Sequence, residues 1–166
     1  MPNIHQTVFI GSSPEKVYDA ITSREGLAGW WTPAAEAKAE INSIAHFPFG
    51  SDYFKEMKIT ELVAPHLVKW TCIKGDAEWL GTTLSFQLKS NDKAILLAAH
   101  PEVRDQVRQQ QGDKGTLLIF HHDNWKDYTL QFAECSYTWG RFLHSLKLWC
   151  ETGKGHPWPV QHRTKA

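Results

Sequence analysis

The C-terminal part of the chain, from Trp125 to Thr152, reads WKDYTLQFAECSYTWGRFLHSLKLWCET. Its apolar residues recur at alternating steps of three and four, the spacing of one face of an α-helix. They are Phe132, Cys135, Trp139, Phe142, Leu146 and Trp149, with Leu143 and Cys150 beside them. Asn124 is placed to cap the first turn, and Gly153 follows the last one. At about 1.5 Å per residue such a helix is about 40 Å long, enough to cross a whole sheet.

The residues before this helix follow a period of two, which is typical of antiparallel strands. The pattern runs from about residue 36 to residue 89 and contains turn signals at Asn42-Ser43, Gly50-Ser51-Asp52, Ala64-Pro65-His66 and Lys74-Gly75-Asp76. Within it, apolar residues share one face in three sets: Phe47 and Phe49, then Val68, Trp70 and Cys72, then Leu84, Phe86 and Leu88. The pattern predicts a meander whose apolar face covers the helix.

The last strand is predicted from the segment GTLLIFHH, which is apolar on both faces. Leu118, Phe120 and His122 should face the helix, whereas Leu117 and Ile119 should point outward. The outward pair needs a cover, which is either the segment inserted before this strand or another subunit.

The N-terminal segment begins with a strand, NIHQTVFI, and continues with two short helices. Ser13 is placed to cap the first helix, and Pro14 fits its first position. The second helix, within SREGLAGWWTP, should end near Trp30 and Trp31. The predicted fold class is α+β, a curved antiparallel sheet around a long C-terminal helix with two short helices after the first strand.

The chain length of 166 residues fits one domain. We place that domain at residues 1–153, with a surface insertion at about 90–114 and a C-terminal tail at 154–166. Inside the insertion, PEVRDQVRQQQGDKG predicts one polar helix from Pro101 to Gly112. The tail has no periodicity and should lie along the surface or be disordered.

Four stretches of the sequence resemble one known family. They are SPEKVYDAIT, LAGWWTP, FHHDNW and WGRFLHSLKLWCETGKGHPWP. They resemble the branch of the START-like or Bet v 1-like (SRPBCC) superfamily that is named after the activator of Hsp90 ATPase. The resemblance implies a helix-grip fold. It implies no single function, because the superfamily includes small-molecule binders, lipid carriers and cyclases.

The composition excludes several classes of function. Lys plus Arg and Asp plus Glu number 18 each, so no net charge attracts nucleic acid. No apolar run approaches the roughly 18 residues of a membrane span, and the N-terminus lacks a signal pattern, so we expect a soluble, cytoplasmic protein. The three cysteines lack CxxC spacing and should be free thiols. No nucleotide loop or other cofactor motif is present.

No complete catalytic or metal motif is present either, so we predict neither catalytic residues nor a metal site. His121, His122 and Asp123 are consecutive, and consecutive strand residues point to opposite faces, so they should not converge on one ion. His122 is either a polar group in a cavity or bonded to a backbone carbonyl near Asn124. Of the other titratable candidates, Tyr53, Glu134, Tyr137 and His144, the residues Glu134 and Tyr137 should lie at a rim or in solvent.

We therefore predict that the domain binds a small apolar or amphipathic ligand between the sheet and the long helix. The predicted ligand-binding residues are Trp31, Phe47, Phe49, Trp70, Phe86, Phe120, His122, Trp139 and Phe142. Of the pair Trp30-Trp31, one ring could close the cavity mouth while the other lies on the surface, or both could be core. A protein-interaction or chaperone-linked (Hsp90-type) module, with or without self-association, is the alternative. A cyclase or isomerase with His122 as general base comes last.

Overall fold

The apolar stripe of the C-terminal stretch does lie on a helix, and this helix packs on a six-stranded sheet. The computed structural model describes residues 1–164. In chain order these residues form β1 (Ile4–Ile10), α1 (Pro14–Thr22), α2 (Arg24–Trp30), β2 (Ile44–Pro48), β3 (Phe54–Val63), β4 (Leu67–Lys74), β5 (Thr83–Asp92), α3 (Lys93–Ala99), a 3₁₀ turn (Pro101–Val103), α4 (Arg104–Arg108), β6 (Lys114–Asp123) and α5 (Leu130–Thr152). The α+β fold class predicted from the sequence is confirmed.

The strands are all antiparallel and lie in the order β1-β6-β5-β4-β3-β2. The N-terminal strand thus pairs with the last strand, while β2 to β5 form the predicted meander. The ladder between β3 and β4 shifts register at Glu56/Met57 and at Ile59/Glu61. Such irregularities increase local twist and bend a strand, which helps the sheet to curve around α5.

The first short helix begins at Pro14 and the second ends at Trp30, as the sequence predicts. The Ser13 hydroxyl accepts a hydrogen bond from the Lys16 backbone N–H at 3.2 Å, and Pro14 occupies the first turn of α1. Ser23 ends α1 and caps α2, accepting from the Gly26 N–H at 3.0 Å. Both caps satisfy backbone donors that would otherwise lack a partner.

The long helix α5 starts later than the sequence predicts. Thr129, not Asn124, is its cap, because the Thr129 hydroxyl accepts from the Phe132 N–H at 3.1 Å. Asn124 has a φ of 71°, which turns the chain away from a helix, and Trp125 then enters the core fully buried. The predicted end is confirmed, since Gly153 adopts the left-handed conformation with a φ of 81°.

The apolar stripe of α5 supplies one side of the core. Its buried members are Trp139, Phe142, Leu143, Leu146 and Cys150. The other side is the inner face of the sheet, to which all six strands contribute buried apolar residues. Leu118, Phe120 and His122 are all buried on that face, as predicted for the last strand.

The insertion differs from the single polar helix predicted from Pro101 to Gly112. Strand β5 continues to Asp92, and the segment before β6 folds into α3, the 3₁₀ turn and α4. Three apolar side chains from these pieces pack on the outer face of the sheet, in a cluster of Phe9, Leu96, Val103, Val107 and Leu117. The insertion therefore covers Leu117, as predicted, but Ile119 stays outside this cluster and only half-buried.

The described part of the C-terminal tail lies along the surface of the domain and is held by specific contacts. The His156 N–H donates to the Ser145 hydroxyl at 2.6 Å, and the Trp158 N–H donates to the Trp31 carbonyl at 2.7 Å. Gly155 permits this approach, because an added Cβ would lie 2.6 Å from the Gly29 carbonyl oxygen. Residues 165 and 166 lie outside the described residues. None of the helices in residues 1–164 is long and apolar enough to cross a membrane.

Candidate functional site

A pocket of about 380 Å³ opens at one end of the grip between sheet and helix. Five separate parts of the chain form its walls: Trp31 at the end of α2, residues 49–55 at the start of β3, the loop between β4 and β5, the first half of α5, and the tail. Most of its lining is aromatic, from Trp31, Phe49, Tyr53, Trp79, Trp139, Phe142 and Trp158. The remaining lining residues are Lys55, Glu134, Cys135, Thr138, Gln161 and His162. Its volume lies in the range of about 300–1,000 Å³ that is usual for small-molecule sites.

Four of the nine predicted ligand-binding residues line this pocket, namely Trp31, Phe49, Trp139 and Phe142. The other five, Phe47, Trp70, Phe86, Phe120 and His122, lie behind it in the core.

The inner part of the grip is filled by a continuous series of aromatic rings. Ring centroids are 5.5 Å apart from Phe47 to Trp70 and 5.2 Å apart from Trp70 to Phe86. The series continues from Phe86 to Phe120 at 5.2 Å and from Phe120 to Trp139 at 4.6 Å. These spacings are those of directly packed rings, so the open space lies at the end of the grip instead of along its length.

Trp30 and Trp31 are both core residues, with 0% and 1% exposure. The interpretation in which one ring lies on the surface is therefore wrong. The Trp30 indole N–H donates to the Ala20 carbonyl at 2.8 Å, which fixes α2 against α1. Trp31 packs against Phe47 at 4.4 Å and Trp139 at 5.3 Å, and one part of its ring reaches the pocket.

Both ring nitrogens of His122 are engaged within the core. The Trp139 indole N–H donates to Nδ1 at 3.1 Å, so the proton of the neutral ring is on Nε2, which bonds the Thr82 hydroxyl at 2.9 Å. The predicted bond to a backbone carbonyl near Asn124 is wrong. Burial lowers the pKa of His122 to about 3, so the ring stays neutral. With its lone pair occupied and no place in the pocket lining, His122 is unsuited to act as a general base there.

Lys55 is the charged group at the inner wall of the pocket. Its Nζ lies 4.5 Å from the ring centre of Phe49, 4.4 Å from that of Tyr53 and 4.3 Å from that of Trp79. The residue is 9% exposed. Within residues 1–164 no acceptor lies at hydrogen-bond or ion-pair distance from the ammonium, and its contacts are these three ring faces. Burial lowers the pKa of Lys55 to about 8, although the negative charge of Asp76 opposes this shift.

Sequence reasoning missed Lys55, although a signal was present. Lys55, Met57 and Ile59 alternate along β3, and all three point to the core side of the sheet. The alternation along β3 places Lys55 on the same face as Met57 and Ile59. Lysine is rarely buried, so its residue type argues against that inner position.

Two further polar atoms of the pocket are buried without a partner. They are the Tyr53 hydroxyl and the Gln161 amide oxygen. Burial raises the pKa of Tyr53, and the nearby Asp76 carboxylate raises it further as a potential acceptor and through its negative charge, so the hydroxyl keeps its proton and can donate. A buried polar group without a hydrogen bond costs about 1–3 kcal/mol. A ligand that bonds these groups would recover this energy.

The rim of the pocket is polar. Glu134 is exposed, as predicted, and its carboxylate accepts from the Thr138 hydroxyl at 3.1 Å. Tyr137 is also exposed and stacks on the His162 ring. Beside them, Cys135 is a free thiol whose pKa is raised by burial, so it is not a thiolate nucleophile.

A cluster of possible metal ligands lies on the opposite face of the sheet. His121 and Asp123 point outward while His122 points inward, so the three consecutive residues do not converge, as predicted. The register of β1 and β6, however, places His5 directly opposite His121. Donor atoms of His5, His121 and Asp123 lie within 4.8 Å of one another. The His5 Nε2 is 3.0 Å from the Asp123 carboxylate and its ring stacks on His121, so the three groups satisfy one another without an ion.

A curved antiparallel sheet closed on a long C-terminal helix, with a pocket at the end of the grip, defines a helix-grip protein. The family model described as "Activator of Hsp90 ATPase homolog 1-like protein" matches residues 12–151. The chain belongs to this family, and the resemblance found in the sequence is confirmed. A search of curated proteins gave no match.

Solved structures agree with this assignment. The chain is 32% identical to a protein of Colwellia psychrerythraea whose structure is described as the Aha1 dimer. The TM-score is 0.72, and the match covers 93% of this chain and 100% of that one. A protein of Staphylococcus saprophyticus (15% identity, TM-score 0.66, 93% and 95% coverage) and one of Bacillus halodurans (22%, 0.57, 88% and 91%) share the fold.

Proposed function

We propose that this protein binds one small amphipathic ligand in the pocket at the end of the grip. The observation that carries the proposal is an aromatic pocket of about 380 Å³ that contains buried polar groups without protein partners. Ligand sites in proteins combine an apolar lining with a few polar groups that fix orientation, and this pocket has both.

The apolar body of the ligand would lie against Trp31, Phe49 and Trp139. Removing about 200 Å² of apolar ligand surface from water contributes about 5 kcal/mol at about 25 cal/mol per Å². The loss of translational and rotational freedom offsets part of this energy. The apolar body alone would give a dissociation constant no tighter than about 0.2 mM, so bonds to the polar groups are needed for micromolar affinity and would also set the selectivity.

The test uses a neutral aromatic probe, 1-aminoanthracene, titrated into the protein and monitored by its own fluorescence. Thr138→Phe places bulk inside the pocket and should weaken binding at least tenfold. Ala133→Phe adds the same kind of bulk on an exposed position of α5 outside the lining and should change nothing. One-to-one binding that ignores Thr138→Phe would place the probe elsewhere, and absence of binding in the wild type would contradict the proposal.

A second candidate is a protein-interaction or Hsp90-linked module. The family description and the dimeric relative support it in general terms. It is also favoured by three large side chains around the start of α5, since Tyr128, Leu130 and Tyr137 expose 77%, 87% and 63% of their surface. Sedimentation velocity of the wild type and of Leu130→Ser tests self-association, and a pull-down with the host's Hsp90-type chaperone tests the other partner. A monomer that captures no chaperone would exclude this candidate.

A further inference from the structure

The chemistry of the pocket restricts the ligand further. Lys55 is a buried ammonium whose contacts are three ring faces. Cation–π contacts to the ring faces compensate only part of the hydration that an ammonium loses on burial. The rings hold the ammonium in place but do not supply the negative charge that usually accompanies a buried cation.

Asp76 is the acidic side chain whose charge acts on both Lys55 and Tyr53. Asp76 influences Lys55 through its charge, but its Oδ2 accepts a hydrogen bond from the Gln131 amide at 2.7 Å. At the rim, Glu134 is exposed and bonded to Thr138, so solvent screens its repulsion of an incoming anion. Neither Asp76 nor Glu134 is at ion-pair distance from Lys55, so a ligand carboxylate that enters the pocket could become the direct partner of the ammonium.

A second donor borders the same space. Tyr53 contributes its ring to the lysine cage and lines the pocket, and its hydroxyl is buried without a partner. Lys55 and Tyr53 are both hydrogen-bond donors in their prevailing protonation states. Asp76 approaches the Tyr53 hydroxyl closely enough to raise its pKa, but the hydroxyl has no acceptor in hydrogen-bond geometry, so Lys55 and Tyr53 can donate to the two oxygens of one ligand carboxylate.

We propose that the ligand is a monocarboxylate with an aromatic or aliphatic body, whose carboxylate pairs with Lys55 and Tyr53. This inference rests on the proposed function and names the class of ligand for the same pocket. The body lies toward Trp31, Trp139 and Trp158, and the carboxylate reaches the inner wall. Desolvation strengthens the ion pair there, because the surrounding rings exclude water.

The experiment compares two probes with the same ring body, naphthalene-2-carboxylate and naphthalene-2-carboxamide, by isothermal titration calorimetry at pH 7. The carboxylate should bind the wild type at least tenfold more tightly than the amide. Lys55→Met should abolish that preference by weakening the carboxylate at least tenfold while leaving the amide within threefold. Lys58→Met, an exposed lysine of the same strand, should keep it.

The outcomes separate the inference from the function on which it rests. Equal binding of acid and amide by the wild type would overturn the inference and leave a pocket for neutral ligands. A second pair of probes, decanoate and decanamide, has an aliphatic body instead of the ring. If the wild type binds none of the four probes, the proposed function itself is overturned. Because the acid-to-amide ratio is measured on the wild type, the inference can fail even if Lys55→Met does not fold.

Discussion

Lys55 and His122 are two buried ionisable residues in opposite situations. His122 has a protein partner on each ring nitrogen and remains neutral, so its role is to stabilise the packing of the core. Lys55 has aromatic faces around it, and within the described residues it has no acceptor. A satisfied polar group stabilises a fold, whereas an unsatisfied one at a pocket wall is a feature of binding sites.

The burial of Lys55 predicts a specific dependence of stability on pH. Its pKa falls from 10.5 to about 8 on folding, so the buried ammonium costs on the order of 3 kcal/mol below pH 8. Between about pH 8 and 10.5 the unfolded chain binds more protons at this residue, so its contribution to stability rises with pH. Lys55→Met should therefore be more stable than the wild type at pH 7, by up to about 3 kcal/mol, and the difference should shrink above pH 8.

Urea denaturation at pH 7, 8, 9 and 10 measures this difference. The other titratable groups around Lys55 are Asp76, Tyr53, Cys72, Cys135 and His122, and they are present in both proteins, so their direct contributions largely cancel. Lys58→Met serves as the control, and its free energy of unfolding should differ from that of the wild type by a small amount that is the same at every pH. A difference for Lys55→Met that does not change between pH 7 and 10 would show that the lysine is already neutral or solvated in the folded chain.

At the scale of elements, the insertion acts as a cover for one face of the sheet. Leu96, Val103 and Val107 bury Phe9 and Leu117, which otherwise would form an exposed apolar patch on β1 and β6. Such patches promote association. The half-buried Ile119 marks where this cover ends.

Removal of the insertion should expose this patch without breaking the sheet. Asp92 and Lys114 are directly paired across β5 and β6, so residues 93–113 can be replaced by a two-residue Asn-Gly hairpin turn. We expect increased fluorescence of a hydrophobic dye together with self-association in sedimentation velocity. A variant with Phe9→Ser and Leu117→Ser in the same background should reverse both effects. A shortened chain that stays monomeric with dye binding equal to the wild type would contradict the covering role.

At the scale of the whole molecule, the pocket exists because distant parts of the chain meet. Its walls come from Trp31, the residues 49–55, Trp79, the first half of α5 and the tail. The tail is joined to the domain by the bond from the Trp158 N–H to the Trp31 carbonyl. It therefore connects the second short helix with the open end of the grip.

The Trp158 side chain should contribute to binding more than to stability. Its ring forms one wall of the pocket, packs edge-on against Phe49 at 6.0 Å and is only half-buried in the free protein. Trp158→Ala should weaken probe binding at least fivefold and lower the free energy of unfolding by no more than about 2 kcal/mol. Calorimetry and urea denaturation measure the two quantities, with the exposed Lys154→Ala as control. Unchanged affinity would mean that the tail is not part of the site.

The sequence by itself determined the architecture of this protein. A helix that buries one face repeats its apolar residues every 3.6 positions, and a strand that does so repeats them every two. Trp139, Phe142 and Leu146 show the first period, and Leu118 and Phe120 show the second. Neither period depends on any other part of the chain. The caps are equally local. Ser13 accepts a hydrogen bond from the first turn of α1, and Gly153 turns the chain at the end of α5. These features could be predicted because their causes lie within a few neighbouring residues.

Only the tertiary structure decided the start of α5 and the content of the site. Asn124 and Thr129 are both suitable caps, and the burial of Trp125 selects the second. Lys55 becomes significant through rings that Phe49, Tyr53 and Trp79 bring to it. The physical reason is that a pocket is a set of contacts between residues far apart in the chain, and no local periodicity records which of them meet.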